Sequence, residues 1–106
     1  MKKLCAGLVL AISFASATAF ADDTADLWKA KCKSCHGADG KADTKEGRKS
    51  KIDDMSTAEW QSKHSDAEIK KVISEGKPDT KMKPYKDKLS EAEIDGLVKY
   101  IRGLKQ

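Results

Sequence analysis

Beyond residue 20 the chain has no phenylalanine: its two, Phe14 and Phe20, both fall near the start. Proline is confined to Pro78 and Pro84, and histidine to His36 and His64. The three cysteines are Cys5, Cys32 and Cys35. So few thiols, two of them only three positions apart, exclude a disulfide framework as the source of stability. No segment alternates apolar and polar residues as a strand would, so no sheet is expected. No internal repeat is present.

The first 21 residues read apart from the rest. Lys2 and Lys3 give a short positive start, and Leu4 to Ala19 is mostly apolar with small residues. Ala19-Phe20-Ala21 then offers a small-x-small cleavage pattern ahead of Asp22 and Asp23. This is the layout of a secretory signal peptide, residues 1–21, cut after Ala21. The alternative, an uncleaved anchor helix, is disfavoured by Ser13, Ser16 and Thr18 and by the shortness of the run. Cys5 precedes the apolar run and leaves with the signal. The expectation is a periplasmic domain over residues 22–106, with no membrane anchor after cleavage, acting as a monomer.

That domain keeps 19 of the 21 basic residues and all 17 acidic ones, a formal charge of +2. Such a balance gives no case for nucleic-acid binding. Its aliphatic content is thin. Leu, Ile and Val number 11 of its 85 residues, below the roughly 20% at which disorder becomes the default expectation. A chain this small buries too little apolar surface to be robust unaided. Helix patterns are nonetheless clear, so a large apolar cofactor is expected to fill the middle.

Four helices are legible. The first runs from about Thr24 to Ser34, with Asp22, Asp23 and Asp26 at its start and Lys29, Lys31 and Lys33 at its end, as the helix dipole favours. Ser56 and Glu59 form a capping-box pattern for a short helix holding Trp60. Ser65 and Glu68 form another, opening a helix with Ile69, Val72 and Ile73 on one face, stopped by Gly76 and Pro78. Ser90 and Glu93 open the last, whose apolar positions are Ile94, Leu97, Val98, Ile101 and Leu104. Gly96 in its interior costs about 1 kcal/mol against alanine, which points to a close packing contact. Gly37 to Lys51 and Lys77 to Lys88 read as polar surface loops.

The chemistry sits in Cys32-Lys33-Ser34-Cys35-His36, a C-x-x-C-H run, the attachment signature of c-type haem. Two thiols on one tight helical turn can each bond one vinyl group of a porphyrin, and the adjacent imidazole then falls under the iron. Two other readings compete. A thioredoxin-type pair belongs in an α/β pattern, which is missing. A zinc site from Cys32, Cys35, His36 and His64 would leave the core thin. The sixth iron ligand has three candidates, Met82, Met55 and His64. Met82 is favoured because it lies in a loop stiffened by Pro84 that can fold over the opposite porphyrin face.

The chain resembles the small class I c-type cytochromes of bacteria along nearly all of residues 22–106. The resemblance lies in Leu27-Trp28 with the C-x-x-C-H run and Gly37, in Lys81-Met82-Lys83-Pro84-Tyr85, and in Leu89 to Ile94 followed by Leu97, Tyr100 and Ile101. It implies an all-α globule of three to five helices around one covalent haem, with the first and last helices crossing. It also implies His36 and Met82 as axial ligands, and a Trp60 indole N–H directed at a haem propionate. Lys31, Lys33, Lys81 and Lys83 flank the haem-binding sequences and are expected to ring the exposed haem edge, where they would steer acidic redox partners. The function so implied is single-electron transfer rather than catalysis. The rival, a small haem enzyme or gas sensor, requires an open iron position with His64 as the one histidine left for it.

Overall fold

The computed structural model describes the backbone of residues 14–105 and the side chains of residues 23–105. Six helices follow one another: α1 (Phe14–Lys31), α2 (Lys33–His36), α3 (Lys45–Ser50), α4 (Ala58–Lys63), α5 (Asp66–Glu75) and α6 (Glu91–Arg102). Among the described residues there is no strand, and the all-α expectation holds. Residues 1–13 of the expected signal segment lie outside the described residues; residues 14–21 continue the helix of α1 through Ala21. Among the described residues no helix is long and apolar enough to cross a membrane.

Two of the three capping boxes read from sequence are formed. Ser65 Oγ accepts from the Glu68 N–H while Glu68 accepts from the Ser65 N–H, and Ser90 and Glu93 do the same for α6. Each box satisfies two backbone donors that a helix start otherwise leaves bare. The third, Ser56 with Glu59, is not formed. α4 is capped by Thr57, whose hydroxyl accepts from the Trp60 N–H. Ser56 is buried, and its hydroxyl donates to Asp54 Oδ1 at 2.6 Å, so it is not free to cap.

Two further departures concern short helices. The first helix ends at Lys31, and the haem-signature residues form their own turn, α2, after a break at Cys32. The stretch expected to be a polar loop contains α3, capped by Thr44 and closed by Lys51 in the left-handed region at φ 54°.

α6 packs against both α1 and α5, so the first and last helices of the described residues meet. Ile94, Leu97, Val98 and Ile101 are buried on α6, joined by Ile69 and Ile73 of α5, Trp28 of α1, and Met55 and Leu89 from the connections. Gly96 is buried too, on the helix that meets α1. Nine buried side chains make a small core, and a cavity opens directly beside it.

α4 is fastened to α6 by one buried amide. Gln61 donates to the carbonyls of Met55 (2.7 Å) and Ile101 (3.0 Å). Arg102 in turn donates to the Gln61 backbone carbonyl and Oε1, and its Nε reaches Asp66 Oδ1 at 2.7 Å. This network fixes the wall that carries Trp60 and His64.

Candidate functional site

A cavity of about 460 Å³ lies between α2, α4, α5 and the 77–85 loop. Cys32, Cys35 and His36 line one part of it; Met82, Trp60, Met55 and His64 also face it. The sequence-predicted residues are thus brought to a single space, including all three candidates for a sixth ligand. Val72, the exposed member of the α5 face at 37%, lines the same cavity, so its exposure is to this space. A second depression, along Glu75 to Pro84, holds neither thiol nor imidazole.

The turn that carries the thiols is held from below by its carbonyls. A helix end leaves its last carbonyls without intrahelical donors. Here each of three successive ones has a donor from elsewhere. The Thr44 hydroxyl donates to Cys35 O at 2.8 Å, the Ala42 N–H to His36 O at 2.8 Å, and the Trp28 indole to Gly37 O at 3.0 Å. Thr44 therefore serves twice, since its oxygen also accepts from the Gly47 N–H at 2.8 Å to start α3. A Cβ on Gly47 would lie 2.1 Å from Ala42 O and 2.9 Å from Cys35 O, so only glycine lets α3 come this close beneath the thiols. Thr44 and Gly47 escaped the sequence reading because Thr44 lacks a Glu or Gln three positions on.

Burial dictates the protonation of the site. It lowers the His36 pKa, which keeps the imidazole neutral with a lone pair to offer. His36 Nδ1 is buried with no hydrogen-bond partner among the described residues. Burial also pushes the Cys32 thiol up to about 11, with Cys35 adding to the rise and Lys31 opposing it. Cys32 and Cys35 are both free thiols. Among the described residues no group of three or more His, Cys, Asp and Glu side chains is arranged to hold a metal ion. A large apolar space beside a thin core, two unpaired thiols, and a neutral imidazole together fit a covalently held haem.

The opposite wall is set by Gly76. It closes α5 at φ +76°, and a Cβ there would lie 2.8 Å from Met82 O and 2.9 Å from Pro84 N. The loop folds back through Lys77 N–H to Met82 O (3.1 Å) and Tyr85 N–H to Ile73 O (3.0 Å). The Met82 N–H donates to Thr80 Oγ1 at 3.1 Å, which completes a tight turn around the thioether residue. Met82 is half-buried, whereas Met55 is buried at 6% exposure within the core. His64 stacks on Trp60 with ring centroids 4.6 Å apart, and its Nδ1 lies 3.9 Å from Glu68. Lys31, Lys81 and Lys83 line the cavity rim and Lys33 stands exposed on α2. Lys81 is engaged by Glu46 of α3, whose carboxyl the Ser50 hydroxyl and then Lys81 hold below the usual carboxylate range.

Comparisons with known proteins agree with this geometry. The family described as cytochrome c oxidase, cbb3-type, subunit III matches residues 19–101. A solved structure described as KustC0563 c-type cytochrome is 40% identical, with a TM-score of 0.73, covering 78% of this chain and 98% of that one. A second, a tyrosine-to-phenylalanine mutant of Kustc0563, is 41% identical with a TM-score of 0.71, covering 78% and 99%. No curated protein matches the chain. The C-x-x-C-H turn, the cavity it faces and these likenesses converge: the chain belongs to the cbb3-type subunit III family of c-type cytochromes and is a small c-type cytochrome.

Proposed function

We propose that the protein is a periplasmic single-electron carrier with one haem c attached through Cys32 and Cys35, and with His36 and Met82 as its axial ligands. The observation that carries this reading is the convergence of both thiols, the neutral imidazole and Met82 on one cavity. When bound, the haem supplies an iron that cycles between Fe(II) and Fe(III).

The chain's own residues divide the remaining work. Cys32 and Cys35 would hold the haem through thioether bonds to its two vinyl groups, each formed by addition of S–H with no atom lost. The turn fixed at its Cys35, His36 and Gly37 carbonyls would hold His36 in place as a ligand to the iron. Met82 offers a thioether, which raises the potential relative to a second imidazole. The buried aliphatic residues keep the pocket dry and so tune the potential further. Trp60, on the cavity wall, would offer its indole N–H to a haem propionate. Lys31, Lys33, Lys81 and Lys83 steer acidic redox partners toward the haem edge. Residues 1–21 serve as the export signal and are removed after Ala21, leaving a monomer with no anchor.

Visible spectra of the purified holoprotein, oxidised and reduced, test this directly, together with acid–acetone extraction. The expected result is haem that stays on the polypeptide and a spectrum of low-spin His/Met iron. Freely extracted haem would remove the attachment claim, and a high-spin ferric spectrum would move the protein to the gas-binding or peroxidase class.

A further inference from the structure

Glu46 of α3 meets Lys81 of the 77–85 loop at the cavity rim. Lys81 Nζ lies 3.2 Å from Glu46 Oε2 and donates to Oε1 at 3.3 Å. The Ser50 hydroxyl, one turn along α3, donates to the same carboxylate and so fixes its direction. The Glu46 side chain is 26% exposed, the most sheltered acidic partner among the ion pairs of the described residues.

The two ends of this contact belong to different halves of the site. α3 is seated under Cys35 by Thr44 and Gly47. Lys81 precedes Met82 in a loop whose base is tied to the end of α5. Among the described residues, Glu46–Lys81 is the one ion pair that joins α3 to that loop. The bonds within the loop set its shape, and besides the ion pair its hydrogen bond to the thiol side is the long donation from the Tyr85 hydroxyl to Lys31 O at 3.5 Å.

We propose that Glu46 is a positioning residue for Met82: by holding Lys81 it ties the methionine loop to the thiol-bearing half of the site and keeps the thioether over the cavity. This rests on the reading of Met82 as the axial ligand. Solvent-exposed pairs add little to global stability. The effect therefore belongs to local opening of the loop rather than to unfolding of the whole domain.

The test uses the ferric holoprotein with Glu46→Gln, Lys81→Gln and the charge-swapped pair Glu46→Lys with Lys81→Glu. Imidazole titration followed by absorption reads how often the methionine leaves the iron. Amide hydrogen exchange at Lys81, Met82 and Lys83 reads loop opening independently. Either single variant is expected to raise imidazole affinity and loop exchange by about threefold to fivefold, the span an exposed pair allows. The swapped pair should return both to within about twofold of the parent, with the thermal midpoint little changed throughout. Single variants with parental imidazole binding and loop exchange would overturn the proposal, as would a swap that restores neither. Met82→Ala run in parallel separates the two claims. If it opens the iron to imidazole while the Glu46 and Lys81 variants do not, only the role of Glu46 falls. If it does not open the iron, the ligand assignment falls, and the role of Glu46 with it.

Discussion

The Trp28 indole nitrogen lies 3.0 Å from the Gly37 carbonyl oxygen and donates to it from one helix into the exit of the haem-signature turn. The same ring stands 6.0 Å from the His36 ring and 5.1 Å from that of Tyr100, centroid to centroid. One residue of α1 thus fixes the turn that presents the imidazole and packs it against α6. The bond is buried, and its loss leaves the Gly37 carbonyl with only the longer Gly40 N–H donation at 3.4 Å.

Trp28→Phe keeps an aromatic filler and deletes the donor. It is expected to cost the holoprotein about 1–3 kcal/mol, from a buried carbonyl that keeps only one long hydrogen bond and from the smaller ring. Guanidinium unfolding followed by the haem absorption and by circular dichroism measures this. An unchanged midpoint would show that the contact contributes nothing.

Removing the cofactor gives a second expectation. Among the described residues the buried core consists of nine side chains, and several of them, with Val72 and Trp60, line the cavity. Without porphyrin these residues line water-accessible space, and a domain of this size has little apolar burial to spare. The Cys32→Ala, Cys35→Ala double variant, purified without haem, is expected to lose most of its helical far-UV signal and to melt without a sharp transition. A cooperative, helical apoprotein would show that the small core suffices.

Much of this arrangement was legible beforehand, and the exceptions have specific causes. Ser65/Glu68 and Ser90/Glu93 announced α5 and α6 because each reciprocal box is written in four adjacent residues. Cys32, Cys35 and His36 announced the site because the chemistry needs that spacing. By contrast, the support for the site is non-local. The Gln61 side chain contacts Ile101 40 positions away, and Lys81 finds Glu46 35 positions away. No periodicity signals such bonds. Ser56 misled for a related reason: its hydroxyl is spent on Asp54, and the cap passes to Thr57, whose side chain is available. The Met82 loop was recognised from its sequence, but its seat on Gly76 depends on a backbone approach that only coordinates reveal.

Methionine ligation separates the cavity's three candidates. Met82→Ala is expected to lower the reduction potential by on the order of 0.1 V, within the span that axial ligands set, and to raise exogenous imidazole affinity by about tenfold or more as the position opens. Met55→Ala should do neither. It should instead destabilise the domain by about 2–5 kcal/mol, as truncation of a buried methionine does. Potentiometry and imidazole titration on the same preparations distinguish the two. Opening in Met55→Ala alone would transfer the ligand to Met55, and opening in neither would point to His64.

The remaining prediction concerns docking. Lys31 and Lys83 sit exposed on the cavity rim, Lys33 stands beside them in sequence on α2, and Lys81 is already engaged by Glu46. A carrier must bind and release quickly, which suits a small interface guided by charge. Lys81 then contributes least to steering, because its neighbouring carboxylate offsets its field at a distance. The Debye length falls from about 30 Å at 0.01 M salt to about 10 Å at 0.1 M, so steering weakens across that range. Electron exchange with an acidic redox protein, followed by stopped flow, is therefore expected to slow as salt rises. Lys33→Glu with Lys83→Glu should lower the association rate by about tenfold at low salt, a modest part of what steering can supply, while leaving the haem spectrum unchanged. Equal rates at all salt concentrations and in every variant would mean that partners approach through apolar contact or another face.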